Sequence, residues 1–255
     1  MSRLIERGLP CDKCGSSDAK AEYDTNWYCF SCHHSIPKKL TKQAHRAIVS
    51  TEETISTCQL PDDFTTVLPN LYLAHLYSYR FTDYLIHKYH IGHSETGNMW
   101  SERLQQYYTT GPRLILPYYE ENKLQFYEGK YIGSKQRTKY ITVGGKKILF
   151  KTFYQPQEMV VIVEDILSAM RIGEVASCVA LRGTHFTNEQ LLAIMKLGSK
   201  FIVWLDSDAP GIRAATKLKT KLDWMGAPSW VVTEATQDPK CYNDDTIRSI
   251  LQCPT

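Results

Sequence analysis

Two close pairs of cysteines, Cys11-x-x-Cys14 and Cys29-x-x-Cys32, constrain this chain more than any other feature. Each Cys-x-x-Cys turn presents two sulfurs to one point, and four thiolates together suit tetrahedral Zn²⁺. Fourteen residues separate the pairs, and Gly15 permits the tight turn that the first knuckle needs. Between them, Glu22-Tyr23 and Trp27-Tyr28 read as short strands around a turn at 24–26. Residues 1–36 are therefore expected to form a zinc ribbon. His33 and His34 follow Cys32 directly and are rival ligands, although four cysteines already complete the set. A ribbon this small has little core, so the metal itself should hold the fold. The alternative is a pair of reduced knuckles without metal.

The other cysteines, Cys58, Cys178, Cys241 and Cys253, are scattered, and Cys178 lies in an apolar run as a small buried hydrophobe. Eight cysteines in a secreted protein would suggest disulfides, but the sequence opens on charged residues and shows no apolar signal core. In a reducing compartment paired cysteines point to metal instead, and a cytoplasmic protein is expected. The longest apolar runs, 160–163 and 201–205, are too short to span a membrane.

A net charge of +3 says little, but its distribution says more. Residues 25–51 contain no acid and carry Lys38, Lys39, Lys42 and Arg46. Between Lys123 and Lys151, eight Lys or Arg accompany a single acid, Glu128. Such stretches either follow a phosphate backbone or are solvated faces. Trp27, Tyr28 and Phe30, expected to be exposed beside the first stretch, either stack on single-stranded nucleic acid or cover the metal site.

Pro37 and the Ser/Thr/Glu-rich run 50–57 mark a linker over 37–60, with a helix expected at 41–48. Residues 61–155 read as a mixed α+β basic subdomain. Leu73, Leu76, Tyr77, Phe81, Tyr84 and Leu85 have helical spacing within 71–90 and predict one or two helices. His75, His87 and His90 in that stretch are assigned no ligand role. Strands are predicted from Arg113, Leu124 and Lys139, with a hairpin turn at Glu121-Asn122. Residues 156–255 alternate strands (159–163, 177–181, 201–205, 230–233) with helices (166–173, 189–197, 212–225). Unbroken apolar strands between helices predict an α/β fold around a parallel sheet covered on both faces.

In such a sheet, ligands bind beyond the carboxyl ends of the strands. Glu164 ends the first strand, Asp206-Ser207-Asp208 the third, and Asp238 follows the fourth. Mg²⁺ takes oxygen ligands and commonly bridges a few carboxylates to substrate phosphates. Asp206 and Asp208 can converge on one ion if the chain turns after them, and Asp208-Ala-Pro-Gly211 supplies that turn. The competing explanation is that Asp165 or Asp208 simply caps the helix that follows.

Glu164 after an apolar strand, then Gly183-Thr184, then Asp206-x-Asp208-x-x-Gly211, resembles the Toprim domain of bacterial-type primases. The four-cysteine ribbon resembles their zinc-binding domain. Gln125-Phe-Tyr-Glu-Gly-Lys130-Tyr and the pair Lys139-Tyr140 resemble their basic subdomain. Order and spacing over nearly the whole chain are similar to the primase half of phage primase–helicase proteins. The resemblance implies a DNA primase, a nucleotidyltransferase that makes short RNA primers on single-stranded DNA from ribonucleoside triphosphates for DNA replication. It implies Glu164, Asp206 and Asp208 as catalytic residues, joined by Asp238 around Mg²⁺, with Mn²⁺ as a substitute. Glu164 would also assist deprotonation of the attacking 3′-hydroxyl. Cys11, Cys14, Cys29 and Cys32 would hold one structural Zn²⁺, and the ribbon would help select a short template sequence. Lys130, Arg137 and Lys139 would grip nucleotide phosphates or the template–primer duplex.

Two departures stand out. The family carries Gly after its first Glu and Asp four residues beyond that Glu, where this chain has Asp165 and Ser168. Either Asp165 compensates or the site carries fewer acidic ligands. The sequence also lacks a Gly-x-x-x-x-Gly-Lys-Ser/Thr phosphate loop, so a separately encoded replicative helicase is the expected partner. The rival readings are a Toprim nuclease and a catalytically decayed, single-stranded-DNA-binding adaptor.

Overall fold

A computed structural model describes residues 4–24, 26–37, 58–101, 106–133, 138–145, 148–155 and 158–252. The chain divides into two compact units, Met1–Ser56 and Thr57–Thr255. Most of the expected linker, its helix at 41–48 included, lies outside the described residues.

The first unit is an antiparallel sheet of four strands in sequence order: β1 (Leu4–Leu9), β2 (Lys20–Tyr23), β3 (Asn26–Cys29) and β4 (Ser35–Pro37). The predicted central hairpin is β2 and β3, with Lys20 opposite Cys29 and Glu22 opposite Trp27. The flanking strands were not legible in the sequence. β1 has no clean alternation, Gly8 sits at φ 77°, and its pairing with β2 carries two register irregularities. Among the described residues of this unit, only Cys11, Ala21 and Cys29 are buried apolar side chains. Hydrophobic burial alone cannot hold so small a sheet, which leaves the four thiols as its natural anchor.

The second unit opens with α1 (Asn70–Ser78) and α2 (Asp83–Lys88). The predicted helical stretch splits because Arg80 adopts φ 62° and the Thr82 side chain caps α2 by accepting from the Leu85 amide. Strands β5 (Gly92–Ser94), β6 (Asn98–Ser101), β7 (Gln106–Thr109), β8 (Arg113–Glu120), β9 (Lys123–Lys130) and β10 (Tyr140–Gly144) follow. β10, β9, β8 and β5 form one antiparallel sheet, while β6 and β7 form a separate two-stranded one. Glu121 and Asn122, at φ 49° and 61°, join β8 to β9. Two consecutive positive φ values give the twist that a two-residue hairpin needs.

Next come β11 (Phe150–Thr152), β12 (Met159–Val163), α3 (Ile166–Ile172), β13 (Ser177–Ala180), α4 (Asn188–Met195), β14 (Lys200–Val203), α5 (Ala209–Trp224), β15 (Ser229–Val231) and α6 (Asp244–Gln252). Their sheet runs β11-β13-β12-β14-β15. β13, β12, β14 and β15 are parallel, as predicted, and β11 pairs antiparallel on the edge. β12 explains its unbroken apolar sequence: Val161 and Val163 enter one core, Val160 and Ile162 the core on the other face. The first core also takes Leu114, Leu116 and Phe126 from β8 and β9 and Phe150 from β11. The basic subdomain and the parallel-sheet subdomain are thus packed over one hydrophobic core, with β11 crossing the expected boundary between them. Cys178 is buried on β13, as its apolar surroundings predicted.

Candidate active site and metal centre

In the first unit, Cys11 and Cys14 sit on the turn after β1, and Cys29 and Cys32 where β3 ends. The Gly15 amide donates to the Cys11 carbonyl at 2.9 Å with Gly15 at φ 72°, closing the first knuckle. The Cys29 amide donates to the His34 carbonyl at 2.9 Å and closes the second. The sulfurs of Cys11 and Cys32 lie 3.9 Å apart, those of Cys14 and Cys29 3.7 Å apart, and all four within 4.8 Å of one another. Four thiols at this spacing fit one tetrahedral ion. The neighbouring histidines turn elsewhere. His33 Nδ1 is 2.9 Å from the Tyr28 hydroxyl, and His34 Nδ1 is 3.2 Å from Lys13 Nζ. Of the three rings expected to be exposed, Phe30 is 58% exposed, whereas Trp27 and Tyr28 are half-buried. Trp27, Tyr28 and Ile36 line a cleft of about 250 Å³ together with Lys13 and Lys20.

In the second unit, β12 and β14 are parallel neighbours with Ile162 opposite Val203. The residues following them, Glu164 and Asp206, consequently leave the sheet at the same edge. One carboxylate oxygen of Asp206 is buried without a hydrogen-bond partner. Burial, with the charges of Asp165, Asp238 and Asp208 against that of Lys240, pushes the Asp206 carboxyl up to about 6. Burial and then the charges of Asp206, Asp208 and Asp165 push Glu164 up to about 7. The Lys240 charge offsets only part of the rise in each, and a cation against the two carboxylates would offset more.

Asp208 caps α5: its Oδ1 accepts from the Gly211 amide at 2.8 Å. The capping alternative is therefore true of one of its oxygens. A Cβ on Gly211 would collide with the Asp206 carbonyl oxygen, so the glycine is what lets the helix start directly beneath the acids.

Asp165 is engaged on both oxygens. Oδ1 accepts from the Ser168 amide at 3.0 Å, while Oδ2 accepts from the Ser168 hydroxyl at 3.0 Å and from Lys240 Nζ at 2.8 Å. Burial alone would raise its pKa, but the charge and hydrogen bond of Lys240 outweigh this and hold the carboxyl below the usual aspartate value. Asp165 is thus a helix cap and an ion-pair partner. Asp238 Oδ2 also accepts from Lys240 Nζ, at 2.9 Å. Burial opposes the Lys240 charge, but Asp165 and Asp206 raise its pKa well above that of an ordinary lysine.

Sequence reasoning missed Lys240. Its only signal was a lysine two residues after an acid in a loop, a pattern that normally describes solvated surface.

The predicted phosphate-gripping residues separate. Lys130 is only 2% exposed, because β9 is an interior strand whose last five residues are buried. Its Nζ lies 4.8 Å from the Tyr79 ring centre and 5.6 Å from that of Tyr140. Burial, partly offset by Asp165 and reinforced by Lys240, lowers its pKa to about 8. Lys139 is exposed, 5.4 Å from the Tyr140 ring centre. Arg137 lies outside the described residues.

The carboxylate oxygens of Glu164, Asp206 and Asp208, one of them buried and unpartnered, are hard donors of the kind a hard divalent ion takes. Among the described residues, only the four cysteines bring three or more metal-ligating atoms within 4.8 Å of one another.

The four-cysteine ribbon, the antiparallel sheet and the parallel sheet with acids at its carboxyl edge follow one another along a chain whose fold is shared with solved bacterial and phage primase structures. Residues 162–244 match the Toprim-like family model. Over 98% of this chain and 80% of the other, the structure is similar to the zinc-binding and RNA polymerase domains of the Aquifex aeolicus primase, at a TM-score of 0.61 and 15% identity. It is also similar to the primase fragment of the bacteriophage T7 primase–helicase protein, over 98% of each chain, at a TM-score of 0.52 and 14% identity. The Escherichia coli primase catalytic core aligns with 71% of this chain and 72% of its own, at a TM-score of 0.54 and 16% identity. No curated protein matches the sequence. Among the described residues, no helix is long and apolar enough to cross a membrane.

Proposed function

We propose that this chain is a DNA primase that builds short RNA primers on single-stranded DNA from ribonucleoside triphosphates. The observation that carries the proposal is the placement of Glu164, Asp206 and Asp208 just beyond two parallel neighbouring strands at one edge of the sheet, with a buried Asp206 oxygen left unpartnered. Bound Mg²⁺, or Mn²⁺ in its place, would supply the positive charge that stabilises the attacking and leaving oxygens of an in-line displacement. Asp206 and Asp208 would hold the ion and orient the triphosphate. Glu164 would help hold the ion and assist deprotonation of the attacking 3′-hydroxyl as pyrophosphate departs.

Lys139 and Arg137 would bind phosphates of the nucleotide or of the template–primer duplex, and Lys130 would present a desolvated ammonium beside them. One structural Zn²⁺ on Cys11, Cys14, Cys29 and Cys32 would hold the ribbon. The cleft formed by Trp27, Tyr28 and Ile36 with Lys13 and Lys20 offers rings for base stacking and cations for the backbone. A replicative helicase is the natural partner.

Incubating the chain with ribonucleotides, Mg²⁺ and mixed-sequence single-stranded DNA tests this function against its rivals. RNA oligomers support a primase, cut DNA a Toprim nuclease, and neither a binding adaptor.

A further inference from the structure

We propose that the ammonium of Lys240 is a resident cation of the acid cluster. It takes over the side formed by Asp165 and Asp238, and so confines the divalent ion to Glu164, Asp206 and Asp208. The proposal rests on the Toprim metal site put forward above and says which of its acids are available to metal.

Lys240 Nζ sits 2.8 Å from Asp165 Oδ2 and 2.9 Å from Asp238 Oδ2, and its side chain is 5% exposed. Its position is fixed from several directions. Pro239 precedes it in a short helical turn, the Cys241 amide donates to the Asp238 carbonyl at 2.9 Å, and the Tyr79 ring lies 5.4 Å from its Nζ. Ser168, buried beneath, donates two hydrogen bonds to Asp165 and adds no negative charge. A divalent ion bridging Asp165 and Asp238 would have to sit against this ammonium or expel it. Two like charges at contact in a half-dry site repel strongly, and an expelled ammonium would have to regain its hydration elsewhere. The hydrogen bonds of Lys240 go to Asp165 and Asp238, while one buried oxygen of Asp206 is left without a partner. Lys240 is accordingly a positioning residue: it neutralises the back of the cluster and leaves only the front as ligand.

The test is Mn²⁺ binding to the full, zinc-loaded chain, with free Mn²⁺ followed by electron paramagnetic resonance and no nucleotide present. The wild type should take one Mn²⁺ at the acid cluster and Lys240→Met two, because the freed Asp165 and Asp238 become ligands. Asp238→Asn should leave the wild-type affinity unchanged, whereas Asp206→Asn should weaken it by about tenfold or more. The comparison of these two aspartate variants stands even if Lys240→Met does not fold. Two ions on the wild type, one ion on a folded Lys240→Met, or an Asp238→Asn loss equal to that of Asp206→Asn each overturn the proposal. No Mn²⁺ on any of the proteins would remove the metal site itself, and the proposal with it.

Discussion

Replacing Asp206 by Asn should stabilise the metal-free protein while destroying its function. In the native chain this carboxyl is raised from the ordinary 3.8 to about 6, chiefly by burial. At about 1.4 kcal/mol per pKa unit, keeping it ionised at pH 8 costs up to about 3 kcal/mol. The carboxylate still meets water on one side, which screens the effect to roughly half, ~1.5 kcal/mol. Asn keeps the shape and removes the charge, so the variant should gain about that much, or roughly 3–5 °C in melting temperature. The sign follows from linkage. A carboxyl raised on folding favours the folded state fully below the unfolded value of 3.8, and that contribution is lost as pH rises through about 6. The gain from Asn should therefore be present at pH 8 and absent near pH 4. The assay is urea unfolding of zinc-loaded protein in Mg²⁺-free buffer at both pH values, repeated at pH 8 with Mg²⁺. Added Mg²⁺ should stabilise the wild type by mass action and leave the variant unmoved. A destabilised variant at pH 8, or a gain that persists at pH 4, would refute the account of a desolvated, ion-seeking carboxylate.

Asp208→Asn keeps the helix cap, and Glu164→Gln keeps size, yet each should cut primer synthesis by at least about a hundredfold, while Ser168→Ala costs far less. Near-normal primer yield from Asp208→Asn would mean that the acids are caps only. Cys29→Ser or Cys32→Ser should release zinc, measured by metal analysis, and disorder the ribbon. Template-directed initiation should then fall more than extension of a supplied primer. Lys130→Ala and Lys139→Ala should each weaken nucleotide or template binding and flatten its salt dependence. Only Lys130→Ala should also lower the melting temperature, since its side chain is enclosed by Tyr79 and Tyr140. Unchanged binding and salt slope in both would make these lysines structural or merely solvated.

Much of the site was legible because its signals are local. A Cys-x-x-Cys pair shapes its own turn, and the spacing of two such pairs was enough to expect one metal centre and the β2–β3 hairpin. Apolar runs of about five residues between helices read as interior parallel strands because burial on both faces removes alternation. The acids then fell at the strand ends by counting along the chain. Glu121-Asn122 announced the β8–β9 turn through residue chemistry alone.

What the tertiary structure decided is what depends on distant neighbours. β11 was hidden because three residues, Phe-Lys-Thr, carry no pattern of their own, and they become a strand only by pairing with β13. Lys130 read as a phosphate-gripping residue of a basic stretch, but the position of β9 between β8 and β10 encloses it. Asp165 looked available as a ligand until the fold brought Lys240, 75 residues further along, onto its carboxylate. Sequence by itself determined which groups could do chemistry and at which strand ends they would stand. Only the packing of the Pro239–Cys241 turn against α3 determined which carboxylates face a cation already supplied by the chain. Electrostatic partnership is a matter of a few ångströms in space, and no local pattern encodes that distance.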